Sequence, residues 1–253
     1  MQEMMQFIDN SLTSYHAVCE VEKQLKNNGF KCLSEKNVWN LEAGKAYYLI
    51  RNDSSLMAFR VPKCEISEIK GFHIFAAHTD SPAFKVKESP EMEREGNYVV
   101  WNTEKYGGMI LSTWMDRPLT IAGRVCLAKE NEIFSYPVKL ADNICMIPNL
   151  AIHFNREMNK GVELRKQVEM LPIYGTSTEV LTKGAFMDYI ADALGVEAAD
   201  ILDYDLTIYN TDTPDYVGLQ DEFVSAPRLD NLTSTQALID GITEGTRKKG
   251  LNM

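Results

Sequence analysis

Three side chains in this sequence have the type and setting for metal chemistry: His78, Asp80 and Asp230. The first two close the segment Phe72-His73-Ile74-Phe75-Ala76-Ala77-His78-Thr79-Asp80-Ser81-Pro82. Its apolar run reads as a strand buried on both faces, as inside a parallel sheet. Side chains alternate along a strand, so His78 and Asp80 point the same way where it ends. In open α/β sheets that carboxyl end is where ligands bind. A histidine can give a metal ligand there while the carboxylate two residues on fixes its ring. The same residues also suit a strand-end histidine beside an Asp-Ser-Pro turn.

Asp230 precedes a helical pattern running through Ala237, Leu238 and Ile242. Aspartate is a favoured helix N-cap, and a capping carboxylate can still offer an oxygen to a metal at a sheet edge. His153 lies among apolar neighbours in Ile147-Pro148-Asn149-Leu150-Ala151-Ile152-His153-Phe154, the usual setting of a core histidine. The other two histidines read as structural: His16 at the start of a helix and His73 within the apolar strand. Asp116-Arg117-Pro118 reads as a turn held by an ion pair. There is no GxSxG elbow, phosphate-binding glycine loop or HExxH.

The chain has 253 residues, enough for one large domain or two smaller ones. A formal net charge of −10 argues against nonspecific nucleic-acid binding. The basic cluster Arg247-Lys248-Lys249 reads as a solvated surface. No apolar run reaches membrane-spanning length, and Met1-Gln2-Glu3-Met4 lacks the basic start of a signal peptide. Five scattered cysteines without a CxxC spacing read as reduced, mostly buried thiols, which points to the cytoplasm.

Residues 4–28 carry a helical stripe (Val18, Val21, Leu25) that Asn28-Gly29 terminates. Strands are expected at 46–50 and 56–61, around the turn 51–55, and then at 72–77. After Pro82 come short strand candidates at 98–101, 109–114, 119–127 and 133–140, the cadence of a small β sandwich or barrel. Phe186, Ile190 and Leu194 mark a helix stopped by Gly195, and 204–209 returns to strand character. The expected partition is an α/β domain interrupted by a β-rich insertion: residues 1–88, then 89–223, then 224–253.

Taken together, the segments resemble the aspartyl aminopeptidase family of dizinc metallopeptidases. The matching stretches are SYHAV at 14–18, AAHTDSP at 76–82, YGG at 106–108 and TWMDRPLTIAGRV at 113–125. IPNLAIHFNRE at 147–157 and SAPRLDNLTSTQALIDGI at 225–242 complete an ordered set across nearly the whole chain. The resemblance implies a peptidase that removes N-terminal residues from peptides, using two zinc ions in an α/β domain split by a β-rich dimerisation insertion. His78 matches a terminal metal ligand, Asp80 the carboxylate orienting it, and Asp230 the aspartate bridging both metals. His153 matches a histidine that reaches the active site of a neighbouring subunit, which implies a homo-oligomer.

Family members continue beyond the RLDN motif with a Glu-Glu pair that holds the catalytic base, a later metal-binding aspartate and a final histidine. Here no histidine follows His153, and Asp240 and Glu244 are the acidic residues after Asp230. The expectation is therefore an incomplete α/β domain whose His78 and Asp230 cannot by themselves hold a two-metal cluster. The alternative is a catalytically silent remnant serving assembly or peptide binding.

Overall fold

The computed structural model describes residues 1–69, 71–130, 132–176, 183–245 and 251–252. The chain forms two compact units, residues 1–81 with 213–253 and residues 82–212. The basic cluster at 247–249 lies outside the described residues.

The first unit begins with helices α1 (Gln2–Asn10) and α2 (Ser14–Asn27). The single helix expected over 4–28 is thus divided near Ser11, which ends α1. Helix α2 stops as its sequence dictates. Gly29 adopts φ +76°, its N–H bonds the Lys26 carbonyl, and the Phe30 N–H bonds that of Leu25. This is a Schellman ending, and Leu25 and Phe30 share the core beneath it. Strands β1 (Lys31–Cys32), β2 (Ala46–Arg51), β3 (Ser55–Arg60) and β4 (Phe72–His73) follow. β1 pairs parallel and β3 antiparallel with β2. Alternation along β2 sends Ala46 and Tyr48 into a core with the helices, and Tyr47 and Leu49 against Phe59 on the other face.

The apolar run 72–77 departs from expectation. Its ladder covers Phe72–His73 alone, and Phe72, Ile74 and Phe75 are each more than 60% exposed. An apolar run shows what must be buried, not what buries it.

The second unit carries β5 (Ala83–Arg94), β6 (Tyr98–Tyr106), β7 (Leu119–Lys129), β8 (Glu132–Lys139), β9 (Ile173–Thr176) and β10 (Ile201–Asn210). They form one antiparallel sheet ordered β8-β7-β10-β5-β6-β9, and bridges Leu119–Cys145 and Met146–Ile173 link β7 to β9 through residues 145–146, which curls the sheet toward closure. Glu88-Ser89-Pro90 disguises β5 as a turn; the register shifts between Val86 and Glu91. The segment 109–114 is no strand, since Leu111–Trp114 winds into a 3-10 turn. Helix α3 (Ala185–Leu194) ends at Gly195, φ +66°, as its sequence predicts. Its N-terminal amides at Gly184 and Phe186 donate to the Glu91 carboxylate. Trp101 sits in this core, stacked on Tyr174 with ring centroids 4.5 Å apart.

The chain then re-enters the first unit through the hairpin β11 (Asp215–Val217) and β12 (Phe223–Ser225), followed by helix α4 (Leu229–Glu244). The closing strand β13 (Leu251–Asn252) pairs with β3 and β4, so the mixed sheet runs β1-β2-β3-β13-β4. Leu232 and Ile239 bury α4 in the helical core. Arg60 donates to the Ile242 and Thr243 carbonyls at 2.6 and 2.8 Å, capping the helix end. Asp240 and Glu244 lie exposed on α4, as expected. The cysteines are all free, but Cys145 alone is buried, so the expectation of mostly buried thiols fails.

Candidate metal centre

His78, Asp80 and Asp230 meet within the first unit. His78 and Asp80 lie in irregular chain after β4, so strand alternation is not what joins them. Instead the segment folds back on itself. His78 Nδ1 is 3.0 Å from the Asp80 carbonyl oxygen and 3.4 Å from its carboxylate. On the other side of the ring, Nε2 is 3.1 Å from Asp230 Oδ1.

Asp230 does not behave as a helix cap. Its backbone lies at φ −85°, ψ 107°, outside the helical region, and its peptide bond to Asn231 is cis. The regular helix starts beyond it, and the carboxylate, 91% exposed, contacts His78.

Two hydroxyls tie the segments together. The Thr235 hydroxyl lies 3.2 Å from the His78 carbonyl oxygen, and that of Ser81 lies 3.3 Å from the Asp230 carbonyl oxygen. Both residues fall inside the quoted sequence stretches, yet neither type signals a site. Threonine on a helix ordinarily bonds its own i−4 carbonyl, as Thr235 also does with Asn231.

The donor set suits a divalent cation. A neutral imidazole has one N–H, and acceptors face both ring nitrogens of His78. With that N–H directed at Asp80, the Nε2 lone pair faces a carboxylate oxygen. A cation between them would replace this repulsion with two bonds. Ligand atoms of a tetrahedral zinc, bonded at ~2.0–2.1 Å, stand about 3.3 Å apart, close to the 3.1 Å here. On the Asp80 side the nearer acceptor for Nδ1 is the backbone carbonyl, with the carboxylate farther off, and either kind of acceptor fixes the tautomer of a metal-binding histidine. Among the described residues, no group of three or more His, Cys, Asp or Glu side chains is placed to hold a metal.

His153 belongs to the second unit, exposed in a turn beside Phe154, which is 82% exposed. The core-histidine expectation therefore fails. His16 Nδ1 is 2.9 Å from the Thr13 hydroxyl at the start of α2, the local role expected of it. Asp116 and Arg117 do not pair with each other. Asp116 accepts the Asn149 N–H at 2.8 Å, and Arg117 pairs with Asp212 at 2.7 Å. The first contact anchors the segment that leads to His153.

Comparison with known proteins adds three findings. The family described as aminopeptidase I zinc metalloprotease (M18) matches residues 7–252. A probable M18 family aminopeptidase 2 of Clostridium novyi is 44% identical over 99% of this chain, and one of Clostridium acetobutylicum is 38% identical over all of it. The chain spans only 58% and 59% of those relatives' lengths. Among solved structures, a complex of Ape4 and Nbr1 superposes with a TM-score of 0.91 at 30% identity, covering 99% of this chain and 52% of that one. The S. cerevisiae mApe1 dodecamer gives 0.81 at 25% identity, covering 99% and 58%. No helix among the described residues is long and apolar enough to cross a membrane.

Proposed function

Because the chain belongs to the M18 family of aminopeptidase I zinc metalloproteases, we propose that it supplies part of a two-zinc aminopeptidase that removes N-terminal residues from peptides. The observation that carries this reading is His78 held between the Asp80 and Asp230 carboxylates, with Nε2 3.1 Å from Asp230. In the proposal His78 and Asp230 would hold metal, and Asp80 would fix the imidazole ring. Bound zinc supplies a Lewis acid that polarises a scissile carbonyl and activates water near neutral pH. Asp80 keeps the His78 N–H on the far side of the ring, so Nε2 presents its lone pair.

A catalytic zinc takes three protein ligands, and the described residues gather fewer. We assign the rest, with the glutamate base, to polypeptide outside these 253 residues; the greater length of the relatives supports this. That portion would also complete an incomplete α/β domain. The same ligand count favours the second reading, a silent assembly or peptide-binding module. Five free cysteines fit a cytoplasmic setting.

The test is an assay for N-terminal residue release by this chain alone and by the full product of its locus. Zinc-dependent release by the full product, absent from the isolated chain, is expected. A full product that binds peptides but never cleaves them favours the silent module. In the active product, Asp80→Asn should keep the fold and lower zinc affinity or turnover by ~10–100-fold. Unchanged kinetics would reduce Asp80 to a turn residue.

We also propose that residues 82–212 form an insertion that builds a homo-oligomer and lends His153 to a neighbouring subunit. Support comes from the exposure of His153 with Leu150, Ile152 and Phe154, and from the dodecameric relative. Mixing His153→Ala subunits with His78→Ala subunits should then restore activity that neither shows alone. Mixed oligomers that form without restored activity would place His153 within its own subunit.

A further inference from the structure

The two candidate ligands come from distant parts of the sequence, and a shared metal requires their separation to be fixed. We propose that Thr235 is a positioning residue for the metal centre, holding the His78 segment against the helix that carries Asp230. The proposal rests on the metal reading of His78 and Asp230 given above.

Thr235 is 6% exposed, and its hydroxyl reaches the His78 carbonyl oxygen at 3.2 Å, across 157 residues of sequence. The same hydroxyl lies 3.3 Å from the Asn231 carbonyl oxygen, next to Asp230. Its single proton is shared between the two carbonyls, one beside each candidate ligand. Ser81 makes the complementary tie, its hydroxyl donating to the Asp230 carbonyl oxygen at 3.3 Å. One hydroxyl from each segment thus grips the main chain of the other. These bonds act on backbone atoms, leaving His78 Nε2 and the Asp230 carboxylate for the metal. Neither hydroxyl would touch metal or substrate; each sets where the ligands stand.

The test is a zinc titration of the whole chain, read from the 15N shifts of its four histidine imidazoles and from urea unfolding without metal. Thr235→Val keeps the shape and removes the hydroxyl; Thr235→Ser keeps the hydroxyl. Zinc should bind Thr235→Val at least ~10-fold more weakly, in the range of lost outer-shell contacts. Thr235→Ser should restore binding, and the apo unfolding midpoints should not follow the affinity order. Should Thr235→Val fail to fold, Ser81→Ala on the partly exposed tie should show a several-fold loss by itself. Wild-type zinc affinity in the hydroxyl-deleting variants, with His78→Ala unable to bind, overturns the positioning role while sparing the metal reading. Undiminished binding by His78→Ala overturns the metal reading and the positioning role with it.

Discussion

Gly123→Ala should unfold the six-stranded sheet of the second unit. A Cβ at this position would stand 2.0 Å from the Asp205 carbonyl oxygen and 2.9 Å from Leu206 Cα. Both atoms are backbone of β10, so no side-chain rotation can clear the space. β7 and β10 pair without a break from the Leu119–Asn210 pair to the Cys126–Asp203 pair, with Gly123 opposite Leu206. Relief therefore requires the central strands to part, exposing Leu206, Ile208 and Ile121, each 1% exposed or less. The expected loss is about 4 kcal/mol or more, the extreme of single-residue effects and a large share of typical domain stability. Gly241→Ala is the contrasting change, since nothing lies within 4 Å of its Cβ position on α4. There alanine should add ~0.5–1 kcal/mol through helix preference. Urea unfolding checks both. A Gly123→Ala chain within ~1 kcal/mol of the parent would mean that the β7–β10 spacing yields far more than close-packed backbone allows.

Much of this architecture is legible in the residues themselves. Gly29 and Gly195 stop their helices because each must adopt a positive φ that other residues resist. β2 and β3 follow from a polar turn between two apolar runs. Other elements depend on partners that local pattern does not name. The run 72–77 has the composition of a buried strand, yet its large side chains are exposed. β5 is hidden by a Pro-containing irregularity that only its pairing with β6 reveals. At the candidate site, the residue types of His78, Asp80 and Asp230 are informative, and the cap reading of Asp230 is not. Its extended backbone turns the carboxylate to His78. The hydroxyls of Ser81 and Thr235 leave no trace, because their roles depend on main chain far away in sequence.

His78→Ala carries the second large expected effect. In the full product, loss of this imidazole should lower zinc affinity by more than the ~10–100-fold that follows removal of an outer-shell partner. Turnover should fall with it. The reason is the small donor set. Among the described residues one histidine and one opposing carboxylate meet at the centre, so removing Nε2 takes away a proposed direct ligand, whereas an outer-shell partner only orients one. His16→Ala should leave zinc affinity unchanged, since that ring is engaged with Thr13 at the start of α2. Isothermal titration with zinc, together with N-terminal residue release, reads both consequences. Equal losses in the two variants would point to a nonspecific effect on the fold.

The most direct measurement is a crystal structure of the zinc-loaded chain with anomalous diffraction recorded at the zinc edge. An anomalous peak bonded to His78 Nε2 and an Asp230 carboxylate oxygen is expected, with Nδ1 still facing Asp80. A peak on Nδ1, or zinc bound elsewhere while His78 keeps its contact with Asp230, would contradict the metal reading.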